Sequence, residues 1–216
     1  MRHDERGTNP MTDRIIAAFD FDGTITTADS FRHFVQYAIG TPRFAWAGLR
    51  ALPWIVAMKA GVVSRGDAKA RFARFALGTL SADALDAIAR RYAETTLPRL
   101  VRPEMLARVR EHRARGHEVV LVSASPSLYL EKWAATAGFD AVLSTRLAFE
   151  RGVFAGRLDG ENCWGPQKVA RLEAWWGERP PRRLFAYGDS RGDKEMAALA
   201  NWAWIRGQGP MPPIAD

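Results

Sequence analysis

Two aspartates that follow a short apolar run constrain this sequence more than any other feature. The run at 15–18 (IIAA) is typical of a buried strand, and the residues FDFDGT follow it directly. Residues i and i+2 of an extended chain share a face, so Asp20 and Asp22 would project roughly the same way before Gly23 lets the chain turn. Paired carboxylates at the end of a buried strand are costly unless they bind a metal or do chemistry. We therefore expect a functional site here.

The rest of the chain contains a long helical stretch and then alternating strands and helices. The alternation predicts a parallel sheet with helices on both faces, an α/β fold with a Rossmann-like core. The stretch 28–97 has helical patterns throughout and is too long for a simple crossover, so it is predicted to be an inserted, all-helical cap. The predicted organisation is a disordered tail at 1–12, a core formed by 13–27 and 98–216, and the cap at 28–97.

Two local predictions concern where elements end. Gly40-Thr41-Pro42 is predicted to end the first helix of the cap, because glycine and proline both disfavour its continuation. Residues 140–144 are predicted to form a short strand, and 146–158 a separate hairpin that turns at Arg151-Gly152.

The charge balance indicates which partners to expect, and the cysteine content indicates the redox compartment. The 31 Lys and Arg residues exceed the 24 Asp and Glu residues, which gives a net charge of +7. This balance favours anionic partners such as phosphorylated metabolites or anionic lipid, although a solubilising surface would give it too. No basic block is interleaved with aromatic residues, so nucleic acid is not expected as a partner. Cys163 is the single cysteine, which fits a reducing compartment, and we expect a cytoplasmic location.

The apolar stretch 44–63 (FAWAGLRALPWIVAMKAGVV) raises the question of membrane contact. Its longest uncharged run, 51–58, is far short of the roughly 20 residues that a membrane-spanning helix requires. Two interpretations stay open. The stretch is a buried helical hairpin, or it is a helix that lies in the membrane interface with Trp46 and Trp54 at the headgroups. The second would make the protein peripherally membrane-associated.

Further polar residues stand where predicted strands end. Ser123 follows the apolar run VVLV, and Asp189 and Asp193 follow LFAYG, while Lys168 begins a helix after a loop. Ligands of open α/β sheets bind beyond the carboxyl ends of the strands, so these residues are expected to converge with Asp20 and Asp22. The histidines, in contrast, show no metal-ligand spacing, and His112 and His117 are expected to have surface or capping roles.

The chemistry of this set points to phosphoryl groups. Four carboxylates in one place would repel one another, and a divalent metal ion resolves that conflict; oxygen ligands suit Mg²⁺. Lys168 would supply positive charge and Ser123 a hydroxyl donor to a phosphoryl group. An aspartate can act as a nucleophile through an aspartyl-phosphate, and a carboxylate two residues further on can transfer protons.

The motifs DFDGT at Asp20, VSAS at Ser123, an isolated Lys168 and GDSRGD at Asp189 resemble, in this order, those of the haloacid-dehalogenase-like superfamily. The helical insert is similar to the C1-type cap of its subfamily IB, which includes phosphoserine phosphatases. The resemblance implies that Asp20 is the nucleophile and Asp22 the general acid/base. It further implies that Ser123 and Lys168 bind phosphate. Mg²⁺ would be held by Asp20, the backbone carbonyl of Asp22 and Asp189, with Asp193 ligating or orienting.

Two cap residues are candidates for substrate selection. Asp29 stands nine residues after Asp20, where phosphoserine phosphatases carry an acidic residue that binds the substrate ammonium. Arg71 belongs to a basic helix, one of whose cations could meet a substrate carboxylate. The chain departs from the phosphoserine phosphatase pattern at Gly192, usually Asn, and at Ala124, usually Gly. The apolar cap stretch is similar to that of relatives of phosphatidylglycerophosphatase C.

These observations give one main hypothesis and two alternatives. The main hypothesis is a Mg²⁺-dependent phosphomonoester hydrolase that acts through an aspartyl-phosphate on a small phosphorylated metabolite or a phospholipid head group. One alternative is a non-catalytic module on the same scaffold that binds anions or associates with membranes. The other is a phosphotransferase that passes the phosphoryl group to an acceptor other than water.

Overall fold

The computed structural model describes residues 14–214, so the predicted tail at 1–12 lies outside the described residues. Six strands form one sheet in the order β4-β3-β2-β1-β5-β6. The strands are β1 (Ile15–Phe19), β2 (Glu118–Pro126), β3 (Ala141–Glu150), β4 (Val153–Asp159), β5 (Arg183–Gly188) and β6 (Trp202–Ile205). All neighbouring strands pair in parallel except β3 and β4, which are antiparallel. The predicted α/β fold with a Rossmann-like parallel core is confirmed.

Helices cover both faces of this sheet. They are α1 (Ser30–Lys59), α2 (Arg65–Leu77), α3 (Ala82–Thr95), α4 (Pro103–Ala114), α5 (Ser127–Ala137), α6 (Pro166–Trp176) and α7 (Lys194–Leu199). Side chains of β1 alternate between two buried clusters, Ala17 and Phe19 on one face and Ile16 and Ala18 on the other. The first cluster also contains buried residues of α4 and α5, and the second those of α6 and α7. Burial on both faces explains why the strand sequences are almost continuously apolar.

Helices α1, α2 and α3 all lie between β1 and β2, as predicted for an inserted helical segment. Their buried side chains, among them Phe34, Leu85 and Tyr92, belong to the same apolar cluster as Phe19 of the sheet. The cap limits at 28 and 97 stay predictions. Within α1, Gly40 has a φ of 76° and breaks the helix where the sequence predicts an end, and a second helical run follows it up to Lys59.

The apolar stretch 44–63 forms one arm of a helical hairpin with α2, but it is not buried throughout. Ala47 and Ala51 are buried, whereas Trp46 is 62% exposed and Leu49 61% exposed. Trp54, which only the interfacial interpretation places at the headgroups, packs against the ring of Phe75 on α2. Within residues 14–214, none of the helices is both long enough and apolar enough to cross a membrane.

Strand β3 is a single element where the sequence predicts a strand and a separate hairpin. Its first half pairs in parallel with β2, and its second half pairs antiparallel with β4. The prediction of two elements is wrong because the chain crosses residue 145 without leaving the extended conformation. The predicted turn at Arg151-Gly152 is present, with positive φ at both residues.

The prediction of surface or capping roles for His112 and His117 is also wrong. His112 is 0% exposed and His117 8% exposed, and their Nδ1 atoms lie 2.8 Å apart. The Nε2 atom of His112 hydrogen-bonds the hydroxyl of Tyr187 on β5 at 2.7 Å. We call these three residues the histidine cluster. Burial, followed by the charge of His117, holds the pKa of His112 at about 3, so its ring is neutral.

Candidate active site

Strands β2, β1 and β5 are adjacent and parallel, so their carboxyl ends meet at one edge of the sheet. Residue Phe19 is in register with Leu121 of β2 and Tyr187 of β5. Asp20 follows β1, Asp189 follows β5, and Ser123 lies near the carboxyl end of β2. The structure therefore brings the polar residues of all three strand ends to one rim, as expected for α/β sheets.

The turn after β1 is held tightly against β5. The amide of Asp20 donates to the carbonyl of Tyr187 at 2.8 Å, and the amide of Thr26 closes the turn on the carbonyl of Phe21 at 2.9 Å. Gly23 has a φ of 82°, and a side chain there would collide with the carboxylate of Asp189. Glycine at this position is thus required both by the backbone conformation and by the close approach of the two loops.

Four charged residues form what we call the rim cluster: Asp20, Lys168, Asp189 and Asp193. The Nζ atom of Lys168 donates to Oδ1 of Asp20 and to Oδ1 of Asp193, at 2.5 Å each. The hydroxyl of Thr24 donates to the other oxygen of Asp20 at 3.2 Å. Lys168 is 2% exposed and Asp193 0% exposed, so these ion pairs are shielded from water.

Burial and pairing act against each other in this cluster. Burial raises the pKa of the Asp20 carboxyl and the charge of Asp193 raises it further, while the ammonium of Lys168 opposes both. Burial lowers the pKa of Lys168, but the two carboxylates outweigh it and the net change is upward. Lys168 is therefore a fixed cation at the end of β1.

The carboxylates of the rim cluster fit a divalent metal ion. One oxygen from each of Asp20, Asp189 and Asp193 lies within 4.8 Å of the others. The Oδ1 atom of Asp189 is buried without a hydrogen-bond partner among the described residues. Burial raises the pKa of Asp189, and the charge of Asp193 adds to this. Three carboxylates against one ammonium leave excess negative charge, and an all-oxygen donor set of this kind suits a hard cation such as Mg²⁺.

Asp193 has contacts that leave it little freedom to ligate. Its Oδ2 accepts from the amides of Asp189 and Ser190, at 3.2 and 3.0 Å, and from the hydroxyl of Ser190 at 3.0 Å. Its Oδ1 is held by Lys168. Of the two roles left open by the sequence, ligating or orienting, these bonds favour orienting the 189–190 loop and Lys168.

Asp22 lies apart from the three carboxylates. Its side chain accepts a hydrogen bond from the amide of Ser30 at 2.7 Å and another from the hydroxyl of Ser125. Burial raises the pKa of Asp22 and the charge of Asp29 raises it further, while the bonds from Ser125 and Ser30 oppose them. Asp20 and Asp22 thus occupy different environments, which is the usual basis for different catalytic roles.

The sequence predicts a catalytic role for neither Ser30 nor Ser125. The Ser30 hydroxyl lies 2.9 Å from the Tyr129 hydroxyl and 3.2 Å from that of Ser125, so a buried network supports Asp22. Ser123, the predicted phosphate ligand, is 1% exposed, and its hydroxyl accepts from the amide of Ser125 at 3.0 Å. Two serines spaced by one residue at a strand end were the available signal for Ser125.

A cavity of about 490 Å³ opens beside Asp22, between the rim and the helices α1 and α2. Its apolar wall includes Phe44, Ile55 and Phe72, and its cations are Arg32, Arg65 and Lys69. Lys69 donates to the carbonyl of Ala124 at 2.6 Å. Burial lowers the pKa of Lys69, and the charge of Asp22 opposes this. The cavity offers an apolar wall and a cationic one next to the carboxylates of Asp22 and Asp29.

The two predicted substrate-selecting residues lie in different places. Asp29 borders this cavity, and its carboxylate also caps α1 by accepting from the amide of Arg32 at 2.9 Å. Arg71 borders another cavity, between α2 and β4, and its guanidinium lies 5.7 Å from the ring centre of Trp54. Lys69, another of the cations that the sequence offers on this basic helix, occupies the position beside Asp22. Its spacing from Arg65 and Phe72 on one helix face was the available signal.

The departure at Gly192 has a structural cause. A side chain at Gly192 would collide with the indole of Trp164, which borders the cavity. The guanidinium groups of Arg65 and Arg191 lie 4.7 and 5.5 Å from the ring centre of Trp164. Gly192 therefore makes room for an aromatic wall that carries two cations.

The fold and the rim cluster define a hydrolase of the haloacid dehalogenase-like type. The haloacid dehalogenase-like hydrolase family matches residues 17–198, and the chain belongs to this family. It is 39% identical to protein CicA of Caulobacter vibrioides over 201 residues, which are 90% of this chain and 89% of the relative.

Solved structures agree on the fold. A Bordetella pertussis Tohama I protein of unknown function matches with a TM-score of 0.76 and 22% identity, over 89% of each chain. A probable phosphoserine phosphatase from Vibrio cholerae matches with a TM-score of 0.67 and 16% identity, over 90% of this chain and 56% of that one. At such identities the likeness concerns the fold, and it is consistent with the predicted subfamily IB.

Proposed function

We propose that this protein is a Mg²⁺-dependent phosphomonoester hydrolase that acts through an aspartyl-phosphate on residue Asp20. The observation that carries the proposal is the rim cluster itself: three carboxylates within 4.8 Å, two of them paired with the buried cation Lys168, and Asp22 held separately beside a cavity. Membership of a hydrolase family and fold likeness to phosphoserine phosphatases support it.

In the proposed reaction, an oxygen of Asp20 attacks phosphorus and the bond from phosphorus to the leaving oxygen breaks. Asp22 gives its proton to that oxygen, so the alcohol leaves neutral. Asp22 then accepts a proton from a water molecule that attacks the phosphorus of the aspartyl-phosphate, which releases inorganic phosphate and restores the carboxylate of Asp20. The raised pKa of Asp22 suits a group that must hold a proton in the first step and release it again.

Other residues of the site would position the phosphoryl group. Lys168 and the hydroxyl of Ser123 would bind its oxygens. Mg²⁺, held by Asp20, Asp189 and the backbone carbonyl of Asp22, would neutralise charge on the phosphoryl oxygens. Asp193 would keep Lys168 and the 189–190 loop in place through the bonds described above.

The proposed substrate is a small phosphorylated metabolite or a lipid phosphate, met in the cytoplasm; nucleic acid is not proposed as a partner. Phosphoserine deserves a direct test, because that substrate is named for fold relatives, and Asp29 borders the cavity. The mixed cavity wall, with aromatic and aliphatic side chains beside three cations, would also accept an anionic leaving group with an apolar portion.

The test is phosphate release from a panel of phosphomonoesters with Mg²⁺, comparing the wild type with Asp20→Asn. We expect the variant to lose at least about 10⁴-fold in turnover, since the amide cannot act as the nucleophile. Mass spectrometry of acid-quenched wild-type enzyme should find the phosphoryl group on a peptide that contains Asp20. Asp86→Asn, at an exposed ion pair of α3 with Arg90 and Lys132, is the matched control and should retain full turnover.

Three outcomes would contradict the proposal. Undiminished turnover by Asp20→Asn would exclude Asp20 as the nucleophile. A rate that depends on an added alcohol acceptor would indicate a phosphotransferase. An absence of turnover across the panel, with intact folding, would favour a non-catalytic anion-binding module.

A further inference from the structure

Helix α1 carries an apolar face that points away from the protein. After the break at Gly40, the helix continues to Lys59, about 27 Å at 1.5 Å per residue. We define the outer face by six exposed apolar side chains of this segment: Pro42, Trp46, Leu49, Leu52, Pro53 and Val56. Trp46, Leu49, Leu52 and Val56 are 62%, 61%, 50% and 57% exposed. Their spacing of three and four residues places them along one side of the helix.

The opposite side of the same helix already forms its packing contacts. Ala47 and Ala51 are buried, the ring of Phe44 contacts that of Phe72, and the ring of Trp54 contacts that of Phe75. The outer face is therefore additional apolar surface that the packing against α2 does not use. Surface helices normally turn polar side chains to water, and a continuous exposed apolar face indicates an interaction site.

The charges around the outer face have one sign. The chain has no acidic residue between Asp29 and Asp67, although it has five basic ones there: Arg32, Arg43, Arg50, Lys59 and Arg65. Arg43 and Arg50 are seven residues apart and lie along one flank of the outer face, while Lys59 lies on the other flank. All three are exposed. Apolar residues between basic flanks are typical of helices that lie in the headgroup region of a membrane.

We propose that the outer face of α1 docks on an anionic lipid bilayer, with its apolar side chains at the boundary between headgroups and acyl chains. Arg43 and Lys59 would contact the anionic headgroups, while the guanidinium of Arg50 lies 4.7 Å from the ring centre of Phe75 on α2. The net charge of +7 would favour the approach. A second copy of the chain fits the face less well, because a two-fold contact would bring these cations against one another. Docking involves no catalytic residue and is independent of the proposed hydrolysis.

The experiment is flotation of the full-length protein with vesicles of phosphatidylcholine alone or mixed with phosphatidylglycerol. We expect binding to the mixed vesicles and weak binding to phosphatidylcholine alone. Leu49→Gln/Leu52→Gln should reduce binding to the mixed vesicles by about ten-fold or more, because two anchoring side chains lose their gain from burial. Arg43→Gln/Lys59→Gln should reduce it as well, with a weaker dependence on salt than the wild type shows.

The matched control is Leu199→Gln on α7, which removes an exposed leucine, 38% accessible, outside the outer face and should leave binding unchanged. Circular dichroism and thermal unfolding should show that the double leucine variant folds, since it alters exposed positions. Amide hydrogen exchange on vesicles should slow within 42–62 and not in α7. Two outcomes would overturn the proposal. One is equal vesicle binding by the wild type and the leucine double variant. The other is a wild type that forms dimers and binds no vesicles, together with a leucine double variant that is monomeric.

Discussion

The rim cluster and the histidine cluster are both buried against β5, yet they meet the cost of burial in opposite ways. Tyr187 of the histidine cluster lies only two residues before Asp189 of the rim cluster, and its carbonyl accepts from the amide of Asp20. The rim cluster pairs its carboxylates with a buried cation, whereas the histidine cluster keeps the ring of His112 neutral and joins it by hydrogen bonds to His117 and Tyr187.

The two clusters also differ in how completely their groups are satisfied. In the histidine cluster, both ring nitrogens of His112 have a partner, His117 or Tyr187. In the rim cluster, Oδ1 of Asp189 has none among the described residues, and negative charge exceeds positive. A fully satisfied neutral network contributes to stability, while an incomplete charged one indicates a site that takes up something else. The comparison therefore assigns structure to the one and function to the other.

Removing the cation of the rim cluster should have the largest effect. Lys168→Met leaves Asp20 and Asp193 buried without their partner, and we expect the free energy of unfolding to fall by about 3–5 kcal/mol, together with loss of phosphatase turnover. Urea denaturation and phosphate release measure the two effects.

The matched control is Lys132→Met, which breaks a more exposed pair with Asp86 and should cost less than about 1 kcal/mol. Equal stability losses in the two lysine variants would contradict the view that the rim cluster depends on Lys168. Adding Asp193→Asn to Lys168→Met should recover part of the loss, because it removes one of the two uncompensated charges.

A smaller effect is expected from the support of Asp22. Ser125→Ala removes the hydroxyl that donates to this carboxylate, and we expect kcat/KM for a reactive phosphomonoester to fall by roughly ten-fold, about the contribution of one hydrogen bond to a charged group. Steady-state kinetics measure this. Ser144→Ala is the control: its hydroxyl is also buried but has no partner among the described residues. A comparable decrease of kcat/KM in both variants would mean that removing any buried serine hydroxyl disturbs the sheet, and that the hydrogen bond to Asp22 is not the cause.

The sequence predicts the rim better than its surroundings, for a physical reason. Asp20, Ser123 and Asp189 each follow an apolar run of strand residues, and parallel strands bring such ends together whatever the details of the helices. The contacts of Ser30 and Lys69 depend instead on how α1 and α2 are placed over the sheet. That placement is set by tertiary packing, which a local pattern does not determine.

The histidine cluster was missed although a signal existed. Met105, Val109 and His112 are spaced by four and three residues on α4, and all three are buried. A buried helix face therefore predicts a buried imidazole at 112, but a search for metal-ligand spacing overlooks it. The continuous strand β3 was missed for another reason: its pairing contains register shifts and its buried positions do not alternate regularly, so no single period identifies it as one strand.

The most gradual expected effect concerns acid stability, because it develops over a range of pH. The pKa of folded His112 is about 3, below its ordinary value of 6.5, so between these values the unfolded chain binds a proton that the folded one does not. The contribution of His112 to stability is therefore complete above pH 6.5 and is lost as the pH falls towards 3. One such group changes the free energy of unfolding by at most about 1.4 kcal/mol per pH unit. Urea denaturation at several pH values below 6.5 measures this slope.

His112→Phe should make the slope shallower, because the titrating ring is gone. Tyr187→Phe is the matched variant: it removes the same hydrogen bond but keeps the imidazole, so it should lower stability at neutral pH while retaining a steep dependence below pH 6.5. The rim cluster also titrates, and its carboxylates are common to both variants, so the difference between the two slopes belongs to His112 and its coupling to His117. Identical pH slopes in the two variants would mean that burial does not keep the ring of His112 neutral. The contrast between a paired, charged rim cluster and a neutral His112 would then be wrong.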